Sequence, residues 1–115
     1  MFAAVDAGQV VNPDGLINQV EGGIVQSASW TLKEAVRWDR AGSLARSWED
    51  YPILKFDEVP EIAVELINRP ELPGLGSGEC AAGPTAAAIA NALHDALGVR
   101  VRDLPLTPER IAGAL

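Results

Sequence analysis

Glu79, which follows a glycine-rich stretch, is the residue of this chain whose side chain is best placed to take part in chemistry. The segment Gly74-Leu75-Gly76-Ser77-Gly78-Glu79-Cys80 places three glycines within five residues, directly before Glu79. Because glycine has no side chain to pack and loses much backbone entropy on ordering, such a run is typical of a sharp bend or of a backbone that lies against a ligand. Glu79 can then be a general base or a ligand, or it can be an exposed glutamate in an ordinary connection between a strand and a helix.

Other residue types exclude several kinds of site. A dinucleotide-binding turn needs the spacing G-x-G-x-x-G, whereas the third position after Gly76 is occupied by Glu79. The chain has one cysteine, Cys80, and one histidine, His94. These two residues make no transition-metal ligand set, and an iron–sulfur cluster normally takes four thiolates. Any transfer of electrons through such a cluster must therefore be carried out by another polypeptide.

The elements on either side of the glycine-rich stretch would position Glu79. Apolar residues alternate over Glu61 to Asn68, which predicts a strand. Downstream, Pro84 suits a first helical turn, the segment Thr85 to Leu97 reads as an alanine-rich helix, and Gly98 suits a left-handed cap. The carboxylate would lie near the positive end of the helix dipole, which favours its ionised form.

The first half of the chain is predicted to contain a strand and a long helix. Phe2 to Val5 reads as a short strand, and Asn12-Pro13-Asp14-Gly15 suits a type I turn. The helix is expected over Ile17 to about Arg37, and Gly22-Gly23 interrupts it near its start, where a neighbouring element or a bound cofactor must approach closely. Its apolar stripe recurs at spacings of three and four: Ile17, Val20, Ile24, Ala28, Leu32 and Ala35.

The remaining segments complete a small mixed fold. Ser47 to Phe56 suggests one or two short strands, and Val99 to Arg102 suggests another. Thr107-Pro108-Glu109 is typical of a helix start, with threonine as the cap and proline at the first position. We therefore predict an α+β fold of about three helices on a small mixed or antiparallel sheet, as a single domain over residues 1–115.

The composition favours a globular protein over a nucleic-acid-binding or membrane-spanning one. Of the 115 residues, 48% are hydrophobic and 22% are charged, which is normal for a globular protein. The formal net charge of -7 would repel a phosphate backbone, so nucleic acid is not expected as a partner. No apolar run is long enough to span a membrane, and no basic segment precedes the apolar residues after Met1. We expect a cytoplasmic protein.

Several motifs, in order along the whole chain, resemble one enzyme family. They look like the C-terminal part of the molybdopterin-binding large subunit of the xanthine dehydrogenase and aldehyde oxidase family, and are most similar to bacterial members described as nicotinate or isoquinoline dehydrogenase-like. The motifs are Asp6-Ala7-Gly8, residues 11–15 (VNPDG), residues 18–26 (NQVEGGIVQ), Tyr51-Pro52-Ile53-Leu54, Gly78-Glu79, residues 83–93 (GPTAAAIANAL) and residues 101–109 (VRDLPLTPE).

The resemblance implies roles for six residues and a fold that is part of the family's molybdopterin-binding domain. Glu79 stands at the position of the general base that takes the proton from the molybdenum-bound hydroxyl. Gln19 stands at the position of the glutamine that hydrogen-bonds the pterin, and its amide can both donate and accept. The positions where the backbone would approach the cofactor are Gly22, Gly23, Gly76 and Gly78.

The resemblance also implies what a complete enzyme would contain. Such an enzyme hydroxylates an aldehyde or an aromatic N-heterocycle with a molybdenum–molybdopterin cofactor, for which the cytosine dinucleotide form is one candidate. Its partners would be the remainder of the large subunit and an iron–sulfur small subunit. In this reading the chain supplies the general base and cofactor contacts to a site that other polypeptide completes.

A second reading is a stand-alone truncated domain without catalysis, acting as an interaction module. In either case we expect the isolated 115-residue chain to be inactive and to bind no cofactor. We also expect it to expose apolar surface and to form a homo-oligomer. The expected sources of that surface are Ile17, Val20, Ile24 or the alanine-rich helix.

Overall fold

The computed structural model describes residues 1–115 and confirms the α+β class, with three helices and two small pairs of strands. The helices and strands, numbered in chain order, are β1 (Phe2–Val5), α1 (Pro13–Leu32), β2 (Trp38–Asp39), β3 (Gly42–Ser43), β4 (Ala63–Leu66), α2 (Ala82–Leu97) and α3 (Pro108–Ala112), with one 3-10 turn at Phe56–Glu58.

The centre of the fold is a parallel pair of strands. β1 lies beside β4, with Phe2 opposite Ala63 and Val5 opposite Leu66. Along both strands exposed residues alternate with half-buried ones, as the sequence of β4 predicts. Side chains of a strand point alternately to its two faces, so one face of this pair is covered and the other is open. Because the two strands run parallel, the long α1 can lie in the connection between them.

Helix α1 begins and ends earlier than its apolar stripe predicts. The predicted turn at residues 12–15 is in fact the start of the helix, because the Asn12 side chain accepts a hydrogen bond from the Gly15 N–H at 3.0 Å and Pro13 is the first helical residue. Asparagine followed by proline suits both a type I turn and a helix cap, so the pattern alone was ambiguous. The helix ends at Leu32, where the Lys33 N–H donates to the Ser29 carbonyl.

Helix α2 follows the glycine-rich stretch as predicted. It begins at Ala82, three residues before the predicted start, and the Gly98 cap has φ +74° and donates its N–H to the His94 carbonyl at 2.7 Å. The last predicted helix is also present, since Thr107 caps α3 by accepting a hydrogen bond from the Arg110 N–H. Caps depend on neighbouring residues, which explains why they could be predicted.

Two predicted strands are absent. Residues 47–55 form turns and irregular backbone instead, because the Asp50 carboxylate accepts hydrogen bonds from the Arg46 and Ser47 N–H groups. These bonds lower the pKa of Asp50 and give the backbone an alternative to a sheet. Val99–Arg102 pairs with no strand. The antiparallel part of the fold is the β2–β3 hairpin, in which Trp38 lies opposite Ser43.

The core is thin. Only 11 of 115 residues are buried, and Val20, Ile24 and Ala28 of α1 provide most of its apolar part. The accessible surface is 8014 Å², whereas a compact monomer of this mass would expose about 6,000 Å². The radius of gyration is 16.9 Å, against about 13 Å for a compact domain of this length. The fold therefore exposes more surface than a domain that is complete by itself.

The exposed apolar surface lies only in part where the sequence places it, since the alanine-rich α2 has a single buried residue, Thr85. Val20 and Ile24 were expected to contribute to it, but they are buried against neighbouring elements. All three tryptophans are exposed, Trp30 at 36%, Trp38 at 69% and Trp48 at 77%. The most exposed large side chains are Phe2, Val11, Trp38, Trp48, Phe56 and Leu115.

Candidate functional site

The glycine-rich loop between β4 and α2 is joined to the segment that follows β1. Backbone hydrogen bonds run from the Leu75 N–H to the Ala7 carbonyl at 2.8 Å and from the Gln9 N–H to the Leu72 carbonyl at 3.2 Å. These residues are more than 60 positions apart in sequence. Tertiary contacts to the segment after β1 therefore help to position the loop.

Asp6 and Gly8, two residues of one family-like motif, hold this junction. The Asp6 carboxylate accepts a hydrogen bond from the Gly8 N–H at 3.1 Å and pairs with the Arg69 guanidinium at 2.7 Å. Gly8 has φ +69°, and a Cβ on it would lie 2.2 Å from the Pro73 carbonyl oxygen. Only glycine fits there, because both the backbone conformation and the close approach exclude a side chain.

Gln19 connects the other end of the loop to α1. Its Nε2 donates a hydrogen bond to the Gly78 carbonyl oxygen at 2.7 Å. Gly78 immediately precedes Glu79, so this bond positions the residue next to the carboxylate. The remaining donor and the oxygen of the Gln19 amide have no partner within the chain and are available to a ligand.

Five of the six predicted site residues line one small cavity of about 110 Å³. Gln19, Gly22 and Gly23 reach it from α1, and Gly78 and Glu79 reach it from the loop. Gly76 lines neither this cavity nor the larger neighbouring one. The fold therefore brings together residues that are about 60 positions apart in the chain.

The cavity is also lined by Asn18, Gln26 and Trp30, to which the sequence motifs assign no role. A signal for two of them was present, because Gln26 and Trp30 follow Gly22 and Gly23 at helical spacing and so share their face of α1. Asn18, Gln19 and Gln26 make this wall rich in amides, and Glu79 is its one titratable side chain.

The glycines differ in what they do. A Cβ on Gly23 would lie 3.2 Å from the Cβ of Ala81, so Gly23 allows α1 to pack closely against the start of α2. A Cβ on Gly22, Gly76 or Gly78 would meet nothing within 4 Å, and none of the three has a positive φ. Nothing inside the chain thus requires glycine at these three positions.

Glu79 lies in the turn that leads into α2. Its carbonyl accepts a hydrogen bond from the Ala82 N–H at 3.1 Å, while its carboxylate is exposed and has no hydrogen-bond partner in the chain. Position within one turn of a helix start favours a negative charge there. The carboxylate is accordingly free to hydrogen-bond a group that enters the cavity.

A second cavity of about 450 Å³ adjoins the first. It lies between the start of α1 at Asn12 and Gly15 and the loop at Gly74 and Leu75. Gln19 and Gly78 belong to the lining of both cavities, so their hydrogen bond lies between the two spaces.

The residues present fit one wall of a pterin-type site. Gly22 and Gly78 leave open space beside Gln19, and amides match the donors and acceptors of a pterin ring. The smaller cavity is well below the about 300–1,000 Å³ of a typical ligand site. A ligand of ordinary size would therefore extend beyond this cavity. No group of three or more metal-ligating side chains exists in the chain. No helix is long and apolar enough to cross a membrane.

Comparison with known proteins identifies the family to which the chain belongs. Residues 1–60, just over half of the chain, match the family described as a molybdopterin cofactor-binding domain. The chain therefore belongs to this family, and the family resemblance drawn from its motifs is confirmed.

The relatives show which members of the family the chain is similar to. It is 48% identical to a nicotinate dehydrogenase subunit of Pseudomonas putida, over 96% of this chain and 9% of that protein. It is 36% identical to the beta subunit of isoquinoline 1-oxidoreductase of Brevundimonas diminuta, over 94% of this chain and 14% of that protein. The chain thus spans about a tenth to a seventh of the length of these relatives.

A solved structure has the same fold. The crystal structure of quinoline 2-oxidoreductase from Pseudomonas putida 86 matches with a TM-score of 0.83 and 32% identity, over 98% of this chain and 15% of that one. A match of this extent means that the thinly packed arrangement of helices and strands occurs as part of a much larger polypeptide.

Proposed function

We propose that this chain is the C-terminal portion of the large subunit of a molybdopterin-dependent oxidoreductase, which hydroxylates an aldehyde or an aromatic N-heterocycle. The observation that carries the proposal is the convergence of Gln19, Gly22, Gly78 and Glu79 on one cavity. Membership of the molybdopterin-binding family supports it. The names of two relatives, a nicotinate dehydrogenase and an isoquinoline oxidoreductase, support the N-heterocycle.

Gln19 and the glycines would bind the cofactor, whereas Glu79 would transfer a proton. Gln19 would bind the pterin with the free part of its amide while it holds Gly78 in place. Gly22, Gly23, Gly76 and Gly78 would let the backbone approach the cofactor. When bound, the cofactor would supply the two-electron oxidation of the substrate.

Glu79 would be the general base. A base must be ionised when it acts, and the start of α2 offsets part of the cost of enclosing a carboxylate in a site closed by other polypeptide. The amides of Asn18 and Gln26 in the same wall can hydrogen-bond a ligand without competing for the proton. Glu79 would then take the proton of the attacking hydroxyl on its carboxylate oxygens.

Finer statements belong to the same proposal. The cofactor would be a molybdenum–molybdopterin, with the cytosine dinucleotide form as one candidate. An iron–sulfur small subunit would carry electrons away, since one cysteine provides no cluster ligands. Cytoplasmic location stays a prediction from the sequence. No observation favours the alternative of a non-catalytic interaction module.

The test is Glu79→Gln in a complete enzyme that contains this chain. Glutamine keeps the size and most hydrogen bonding of glutamate but cannot take the proton. We expect turnover to fall by about 10²–10⁴-fold, with molybdenum content unchanged by metal analysis. Glu71→Gln is the matched control, because Glu71 is an exposed glutamate of the same loop that lines neither cavity, and it should keep normal turnover. Near-normal turnover of fully loaded Glu79→Gln would remove Glu79 from this role.

A further inference from the structure

Strand β1 uses only one of its two edges. The Val5 carbonyl accepts a hydrogen bond from the Ile67 N–H, next to β4, at 2.8 Å. Because successive residues of a strand direct their backbone groups to opposite sides, the N–H and C=O groups of Phe2 and Ala4 point away from β4. No other strand pairs with β1. An unpaired edge of this kind is a template for a further strand.

A mostly apolar groove runs along β1. We call it the β1 groove; it has a volume of about 410 Å³ and is lined by all of residues 1–6, by Val20 and Ile24 of α1, and by the start of α2 as far as Ala88. No residue of β4 lines it, so it lies on the unpaired side of β1. Asp6 is its one charged side chain. The groove thus combines an open strand edge with an apolar wall made by two helices.

A parallel sheet of only two strands, with one edge of β1 unpaired, is unusual in a folded protein. Parallel sheets occur almost only where both faces are covered, and two strands alone are marginally stable. The chain exposes 8014 Å², about 2,000 Å² more than a compact monomer of its mass. A stable interface takes about 800 Å² from each partner. The excess is therefore large enough for a permanent interface that includes the β1 groove.

We propose that the β1 groove receives an extended strand from the remainder of a molybdenum hydroxylase large subunit. The strand pairs with the backbone of Phe2 and Ala4 and places apolar side chains, at every second position, against exposed parts of the groove lining such as Pro84 and Ala88. The proposal rests on the proposed function for the identity of the partner. This chain covers 9–15% of its relatives, so most of such a polypeptide lies outside it and can supply the strand.

The experiment mixes the chain with a defined probe. The probe is the Pseudomonas putida nicotinate dehydrogenase subunit to which this chain is 48% identical, with the matched segment removed. Hydrogen exchange is followed at the amides of Phe2 and Ala4, and the dissociation constant is measured by calorimetry. We expect exchange at both amides to slow by about 100-fold on mixing, because a paired amide exchanges only when the strand opens.

Two exposed alanines of α2 provide a matched pair of variants. Ala88 lines the β1 groove and Ala87 does not. Ala88→Lys should weaken association by about 10-fold or more, because it places a charge in an apolar contact, whereas Ala87→Lys should leave it within about twofold. Ala4→Pro, which removes an N–H at the open edge, should also weaken it, and Ala4→Ser should not. Circular dichroism shows which variants keep the helices.

The outcomes separate the proposal from its competitors. Association without slower exchange at Phe2 and Ala4, equal effects of the two lysine variants, or no association at all would overturn it. Protection of the same amides in the chain alone, rising with its concentration, would assign the groove to a second copy and would also overturn it. None of these measurements depends on cofactor or turnover. A strand that docks in the groove of an enzyme unaffected by Glu79→Gln would therefore leave this inference standing while the proposed function fails.

Discussion

Gln19 links helix α1 to the glycine-rich loop at the candidate site. One hydrogen of its amide is used on the Gly78 carbonyl at 2.7 Å, while the rest of the amide remains free on the cavity side. A glutamine can do both tasks because it offers two donors and an acceptor that takes two bonds. A glutamate at this position could not donate to Gly78, and a leucine could do neither task.

The first residue-scale prediction concerns this contact. Gln19→Ala removes the bond to Gly78, and a hydrogen bond of this kind contributes about 1 kcal/mol. We expect amide exchange at residues 78–80 to become about fivefold faster, and a complete enzyme to retain less cofactor. Gln26→Ala is the control, since Gln26 lines the same cavity but has no bond to the loop. Equal exchange rates in the two variants would show that Gln19 does not hold the loop.

At the scale of elements, the junction between the end of β1 and the glycine-rich loop depends on Gly8. Gly8→Ala must accept φ +69° and a Cβ that lies 2.2 Å from a backbone oxygen of Pro73. Gly98→Ala is a matched control, because Gly98 has φ +74° but open space around it. The control should lose about 1–2 kcal/mol of unfolding free energy in urea denaturation, and Gly8→Ala about 2–5 kcal/mol, since crowding adds to the strain.

Equal losses of unfolding free energy in the Gly8→Ala and Gly98→Ala variants would contradict the close contact with Pro73. Their difference isolates the cost of displacing the loop from the cost of the backbone conformation alone. A loop displaced in this way should also weaken the contact between Gln19 and Gly78.

A second element-scale prediction concerns the end of α1. The Lys33 ammonium ion-pairs with the Glu58 carboxylate, and this bond, together with the Lys55 N–H, lowers the pKa of Glu58 below 4.5. A carboxylate with a lowered pKa stabilises the fold above its unfolded pKa, and this contribution is lost as the pH falls through the folded value. The melting temperature should therefore decrease below about pH 4.5.

Glu58→Gln should lower the melting temperature at neutral pH. It should also reduce the change of melting temperature with pH between about pH 5 and pH 3. Glu49→Gln is the control, because Glu49 is exposed and its side chain has no ion pair. Thermal denaturation over this pH range measures both variants. If Glu58→Gln keeps the slope of the unsubstituted chain, the ion pair does not contribute to stability in solution.

At the scale of the whole molecule, the exposed apolar surface predicts self-association. Phe2 is 94% exposed, Trp48 77% and Phe56 102%, and removing such large apolar side chains from water favours association. We expect the isolated chain to form a homodimer or larger oligomer at micromolar concentration in multi-angle light scattering. A monodisperse monomer would contradict the prediction.

The sequence by itself determined what depends on neighbouring residues and on family motifs. The caps at Gly98 and Thr107 and the alternation along β4 follow from short local patterns, and the family follows from motifs in order along the whole chain. The six candidate site residues were also chosen from sequence, through the motifs around Gln19 and Glu79. Their proximity across the cavity, apart from Gly76, agrees with that choice without testing their roles.

Only the tertiary structure decided how distant segments meet. It showed that β1 pairs with β4 across some 60 residues, that Gly8 accommodates Pro73, and that Gly23 packs while Gly22 is open. It also replaced the strands predicted at 47–56 with turns made by Asp50. The physical reason is that a helix cap or the alternation of a strand is stabilised by residues that are close in sequence. Whether a strand edge is paired, or a position requires glycine, depends instead on which distant backbone segment lies beside it.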